Sequence, residues 1–202
     1  MKKVICFLFA MALLGNVKSQ CVGVQSFTVT PAAPGGGYTA GTIVTVCYTM
    51  NGWPGINIGA TWVEGFDINL GPGWGPPTPL APPINCQGGG GNWLWLNTST
   101  STVTGITVGP GWFFNSQTGC FPCNNALAGE DFGDSGSCTW TFCFNVTVAQ
   151  GCLPQNLLIQ VTAGGDGDWG SWANPVCPTT PFTIYNGASA SQAFTIGPVL
   201  HN

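Results

Sequence analysis

From Ser19 onward the only side chains that carry charge at neutral pH are seven carboxylates: Glu64, Asp67, Glu130, Asp131, Asp134, Asp166 and Asp168. They fall in three groups, Glu64/Asp67, Glu130-Asp-Phe-Gly-Asp134 and Asp166-Gly-Asp168. Two kinds of chemistry suit such groups. Paired carboxylates hydrolyse glycosidic bonds by acid–base or nucleophilic catalysis, and Glu64, Asp67 and Glu130 are the candidates for it. Their spacing carries no diagnostic pattern. Loops rich in Asp and Gly also present hard oxygens to calcium, and Glu130, Asp131, Asp134, Asp166 and Asp168 are the candidate ligands, although the EF-hand spacing is not met. A structural alternative stands beside both. With no cation to pair with, each carboxylate has to be solvated, protonated or hydrogen-bonded to N–H groups, because an isolated buried charge is costly.

The cations themselves, Lys2, Lys3 and Lys18, all precede Ser19. That distribution removes whole classes of function. Nucleic-acid binding needs cations against phosphate, and none remains. Phosphoryl transfer lacks its usual Lys or Arg clamp, and the Gly88–Gly91 run is not followed by Lys-Ser/Thr. The lone histidine, His201, stands next to the last residue, a poor place for the base of a hydrolytic triad. The sequence therefore predicts a protein that is not an enzyme.

Lys2-Lys3, the apolar run Val4–Leu14 and a polar tail with Val17 and Ser19 at −3 and −1 have the layout of a secretory signal over residues 1–19. The run is too short to span a bilayer as a helix, and no later stretch is apolar enough to do so. The expected product is secreted or held at the cell surface. Cysteine usage agrees. Cys6 lies in the leader, and Cys21, Cys47, Cys86, Cys120, Cys123, Cys138, Cys143, Cys152 and Cys177 form a disulfide set in an oxidising compartment. Nine is odd, which singles out Cys21, at the mature terminus, as free, lipidated or paired with another chain. Cys120-Phe-Pro-Cys123 has no second half of a zinc site, and loop residues surround it.

The elements that position these groups are short strands. The chain holds 31 Gly and 16 Pro, which leave no helical stripe of useful length. Thr42–Thr49 alternates Val44, Val46 and Tyr48 against Ile43, Thr45, Cys47 and Thr49. Thr139–Ala149 alternates Trp140, Phe142, Phe144, Val146 and Val148 against a Thr-rich face. Ser26–Thr30, Thr102–Val108, Leu157–Thr162, Phe182–Tyr185 and Ala193–Ile196 read as further strands. The prediction is one all-β domain over 20–202: an antiparallel β-sandwich, immunoglobulin-like or jelly-roll-like, disulfide-stapled, with long Gly/Pro-rich loops at 71–91 and 115–137. Cys47 and Cys143 lie on the Thr-rich faces of their strands, which makes them candidates for a cross-strand bridge.

A seven-residue unit occurs twice, Ile68-Asn-Leu-Gly-Pro-Gly-Trp74 and Ile106-Thr-Val-Gly-Pro-Gly-Trp112. Each copy reads as a strand end entering a type II turn, with proline setting the first dihedral and glycine taking the positive φ. The tryptophan that follows either caps the core or stands at a loop tip. Trp74, Trp93, Trp95, Trp112, Trp169 and Trp172 are the candidate contact residues for a glycan, since sugar sites combine aromatic faces with nearby Asp or Asn. Soluble sheets often guard their edges with lysine. This chain has none to use, so proline, glycine or bulges must serve, or an edge pairs with a neighbour.

Thr45-Val-Cys-Tyr-Thr49, Trp62-Val-Glu-Gly65 leading to Leu-Gly-Pro-Gly-Trp74, Trp140-Thr-Phe-Cys-Phe144 and Gly165-Asp-Gly-Asp-Trp-Gly-Ser-Trp172 together resemble Cys-rich β-sandwich modules of exported surface proteins from Bacteroidota. The leader's Ser-Gln ending resembles those of the same phylum. The resemblance implies a surface module without catalytic residues; the unguarded edges and odd cysteine point to another copy or another surface protein as partner, and the tryptophans to a glycan. Three expectations follow: a structural or adhesion module, a carbohydrate-binding module, and, least favoured by the residues, a glycoside hydrolase.

Overall fold

The computed structural model describes residues 24–35, 37–53, 63–86, 91–100, 107–115, 133–134, 138–151, 154–165 and 181–190. Eleven strands and no helix occur among them: β1 (Val24–Thr30), β2 (Ile43–Asn51), β3 (Val63–Leu70), β4 (Thr78–Pro79), β5 (Asn92–Leu96), β6 (Ser99–Thr100), β7 (Thr107–Val108), β8 (Gly111–Asn115), β9 (Thr139–Thr147), β10 (Ile159–Gly165) and β11 (Phe182–Tyr185). One sheet has the order β1-β2-β9-β4, a second β11-β10-β3-β8-β5, and β6-β7 form a small ribbon. Every pairing among these strands is antiparallel.

Alternation in the sequence translates directly into the core. Val44, Val46, Tyr48 and Met50 of β2 are buried, as are Trp140, Phe142, Phe144 and Val146 of β9. The second sheet contributes Phe66 and Ile68 from β3 and Ile159, Val161 and Ala163 from β10. Rings join the two sheets. Phe66 of one stacks on Phe142 of the other at 4.3 Å, Trp93 meets the same Phe142 edge-on at 5.1 Å, and Tyr48 contacts Phe66 at 5.1 Å. Such pairs add about 0.5–1.5 kcal/mol each beyond the area they bury. The aromatic layer between two antiparallel sheets makes the fold the expected sandwich.

Two disulfides staple it. Cys47 and Cys143 are direct partners in the β2–β9 register, and a bridge joins them across a Cα–Cα distance of 4.1 Å. Cys86 and Cys138 are bridged at a Cα–Cα distance of 6.0 Å, which ties the end of the 71–86 segment to the start of β9. The bridges fit an oxidising environment. Cys21, Cys120, Cys123, Cys152 and Cys177 lie outside the described residues, as do residues 1–19 with the expected secretory signal.

The sheet edges differ in protection. β4 is two residues long and contains Pro79, and β11 is four residues long, with a register shift where it meets β10. β1 is longer, and its seven residues pair with β2 in unbroken register from Val24↔Asn51 to Thr30↔Thr45. Among the described residues no strand pairs with its other side.

Candidate functional site

Asp134 is the most deeply placed acid in the described structure, with no solvent exposure. It stands opposite Val63, the first residue of β3, in an isolated bridge, and its carboxylate points to N–H donors. The Cys86 amide donates to both oxygens at 3.1 and 2.9 Å, Trp140 Nε1 donates to Oδ2 at 2.8 Å, and Trp93 Nε1 donates to Oδ2 at 3.3 Å. Hydrogen bonds to a charged acceptor contribute about 1.5–3 kcal/mol each, so these donors replace the missing cation. Cys86 is itself bridged to Cys138. One carboxylate, two indoles and a cystine thus lock β5, β9 and the 71–86 segment together. Asp134 thus lies inside the core, with its oxygens facing N–H groups. Among the described residues no group of three metal-ligating side chains converges. Glu130, Asp131, Asp166 and Asp168 lie outside the described residues.

The other two described acids also sit within the fold. Glu64 is buried at a bulge, where Gly164 and Gly165 of β10 pair with Gly65 and Val63 and so skip it. Asp67 Oδ1 accepts the Gly109 amide at 2.6 Å, and burial pushes its carboxyl above the usual range while that amide and the Ile68 amide oppose the shift.

Asp67 leads to the repeated unit. In the first copy β3 ends at Leu70, and the turn Gly71-Pro-Gly-Trp74 is closed by the Trp74 amide on the Gly71 carbonyl at 3.2 Å. Gly71 and Gly73 donate to the carbonyls of Leu158 and Asn156, both at 2.8 Å. In the second copy Gly109 has φ +100°, the Gly109–Pro110 peptide is cis, and Gly111-Trp112 begins β8. The expected type II turns are not formed. Gly73 and Gly111 keep out of the left-handed region because main-chain bonds to neighbouring segments fix them, and in the second copy the positive φ falls before the proline. What the glycines supply is proximity. A Cβ on Gly111 would stand 2.1 Å from the Phe66 carbonyl oxygen, and one on Gly73 would stand 2.7 Å from that of Asn156.

Both Gly-Pro turns line one groove of about 620 Å³, formed by Ile68–Pro72, Trp74–Pro77, Asn97, Gly109 and Pro110. Its side chains are prolines, aliphatics, two amides and Trp74, with no charged group. Asn97 Oδ1 accepts Trp95 Nε1 at 3.0 Å, and Asn69 Nδ2 donates to Gln160 Oε1 at 3.3 Å. A smaller cavity of about 390 Å³ lies between Leu80–Ile84 and Thr139, Thr141 and Cys143 on the outer face of β9.

Of the tryptophans expected to meet a glycan, Trp74, Trp93 and Trp112 are buried, so they do not present faces at loop tips. Trp112 lies inside β8, its ring edge-on to Trp95 at 5.4 Å, and Trp74 packs on Tyr38 at 5.9 Å. Trp95 is half-buried, while Trp169 and Trp172 lie outside the described residues. Strand β8 was not legible as a strand, since Gly-Pro-Gly ahead of Trp112 reads as a turn; the aromatic run Trp-Phe-Phe was the signal that could have marked it. No helix of the described residues is long and apolar enough to cross a membrane. No family model, curated protein or solved structure matches the chain.

Proposed function

We propose that this chain is a non-enzymatic exported module that acts in structure or adhesion at the cell surface. The observation that carries the reading is the fate of its described carboxylates. Asp134 holds two indoles and an amide, Asp67 holds the Gly109 turn, and Glu64 is buried at a bulge. Asp134 and Asp67, groups that could do acid–base chemistry, act as internal acceptors, and no Lys or Arg follows Lys18 to pair with them. The cystines, the leader pattern and the absence of Lys and Arg after Lys18 support export and exclude a phosphate-bearing partner.

A carbohydrate-binding role is the second reading, favoured by the uncharged groove lined by Asn69, Asn97 and prolines. Two measurements separate the readings. Protease shaving and thiol labelling of intact cells should find the protein outside the cell and oxidised. A glycan array followed by tryptophan fluorescence should show no saturable quenching. A reduced cytosolic product would overturn the proposal, and saturable sugar-dependent quenching would replace adhesion through protein with glycan recognition.

A further inference from the structure

We propose that β1 is a pairing edge through which two copies of this chain join, antiparallel and two-fold symmetric about Phe27. The inference takes its biological sense from the surface-module reading, but its physical grounds are separate. An edge strand exposes a row of unpaired N–H and C=O groups, and soluble proteins blunt it with lysine, proline, bulges or brevity. β1 uses none of these within its length. Val-Gln-Ser-Phe-Thr-Val-Thr carries no charge and no proline, runs for seven residues, and holds its register on β2 without a bulge. Tyr48 Oη donates to Gln25 Oε1 at 2.6 Å, which helps hold the strand straight along β2.

Charge selects the occupant. The protein has a net charge of −4, and its copies have no cation after Lys18 with which to attract one another. Two copies meet with least repulsion where neither presents a carboxylate. The sheet β1-β2-β9-β4 contains no charged side chain in any strand, and among the described residues no strand pairs with the outer side of β1, its longer edge. A two-fold axis through Phe27 sets Val24 opposite Thr30, Gln25 opposite Val29 and Ser26 opposite Thr28, with no like charges across the seam. The side chains also ask for cover. Val24 is 74% and Phe27 43% exposed, and the Phe27 ring meets Phe182 of β11 at 5.8 Å, so the edges of both sheets border the same aromatic seam. Pairing of the same edge on both copies closes at two, so the expected product is a dimer and not a fibre.

Sedimentation velocity over a concentration series of the oxidised mature protein tests this. A reversible monomer–dimer equilibrium is expected. Phe27→Lys places two ammonium groups beside the axis and should weaken the dimer more than about tenfold, because like charges directly opposite across strands repel. Thr28→Lys, on the exposed outer face, should weaken it less while leaving the fold intact, as judged by near-ultraviolet circular dichroism and retained disulfides. A wild-type protein that is monomeric at every concentration overturns the proposal, and so does a dimer indifferent to both variants. A monomer whose outward β1 amides resist hydrogen exchange would mean that the chain's own segment covers the edge, which also overturns it. A monomer found on the cell surface would sink the pairing and spare the surface reading; a dimer confined to the cytosol would do the reverse.

Discussion

The two Gly-Pro-Gly-Trp copies share their residues and almost nothing of their backbone. In the first, Gly71 and Gly73 are bonded to the segment just before β10, and Trp74 pairs with Val148 in an isolated bridge. In the second, Gly109 turns through a positive φ under the carboxylate of Asp67, and Trp112 enters a ladder between β3 and β5. A local sequence offers a small set of conformations, and the neighbour that satisfies its amides chooses among them. Both copies keep their glycines because another main chain lies where a Cβ would go.

The largest test of that comparison is Gly111→Ala. Its Cβ would lie 2.1 Å from a carbonyl oxygen of the paired strand, and overpacking of this kind costs about 3 kcal/mol. Gly75→Ala, just beyond the first copy, meets only Thr147 O at 3.4 Å and should stay within about 0.5 kcal/mol of wild type. Urea denaturation measures both; equal losses would show that close approach is not what the repeat's glycines serve.

The tryptophans give the next contrast. Trp112 Nε1 and Trp74 Nε1 are buried without a hydrogen-bond partner, whereas Trp140 Nε1 donates to Asp134. Trp140→Phe should therefore destabilise by about 2 kcal/mol more than Trp112→Phe, the difference being one hydrogen bond to a charged acceptor. Similar losses in the two variants would remove the Asp134 cluster from the account of stability.

Two titrations provide smaller effects. Burial raises the Tyr48 phenol above its ordinary value of 10.0. The unfolded chain therefore ionises first, and stability present below that value declines as pH rises through it. Tyr48→Phe should lose about 1 kcal/mol with the Gln25 bond and flatten the alkaline fall. An unchanged alkaline slope in thermal melts would contradict the buried phenol.

Asp67 bears on the second copy alone. Its carboxyl is raised by burial, so the folded protein keeps this proton to higher pH than the unfolded chain does. The group's contribution is full below the ordinary value of 3.8 and is lost as pH climbs through the raised one. Asp67→Asn keeps an acceptor for the Gly109 amide and removes that decline. Melting temperatures from about pH 3 to about pH 7 should fall less steeply in the variant. A steeper fall would mean that the ionised form is favoured by the fold.

Legibility followed periodicity. Strands β2 and β9 were readable with their faces, down to the pairing of Cys47 with Cys143, because a period of two with one apolar face has few other solutions. β11 was readable to its ends. β3 was visible only as a strand end, because Glu64 and Asp67 interrupt its pattern; the bulge and the Gly109 amide that accommodate them come from residues far away in sequence.

Composition alone determined the class: an all-β, cystine-stapled chain that cannot rely on ion pairs, since counts of Gly, Pro, Cys and Lys do not depend on the path of the chain. Position was decided by the tertiary structure. Whether Asp134 would meet solvent, metal or N–H, whether Trp112 would stand at a tip or in a ladder, and which edge would be left open depended on partners 20 to 100 residues away in several cases, such as the 48 that separate Cys86 from Asp134. Hydrogen bonding and steric exclusion act through space, and spacing along the chain does not encode them.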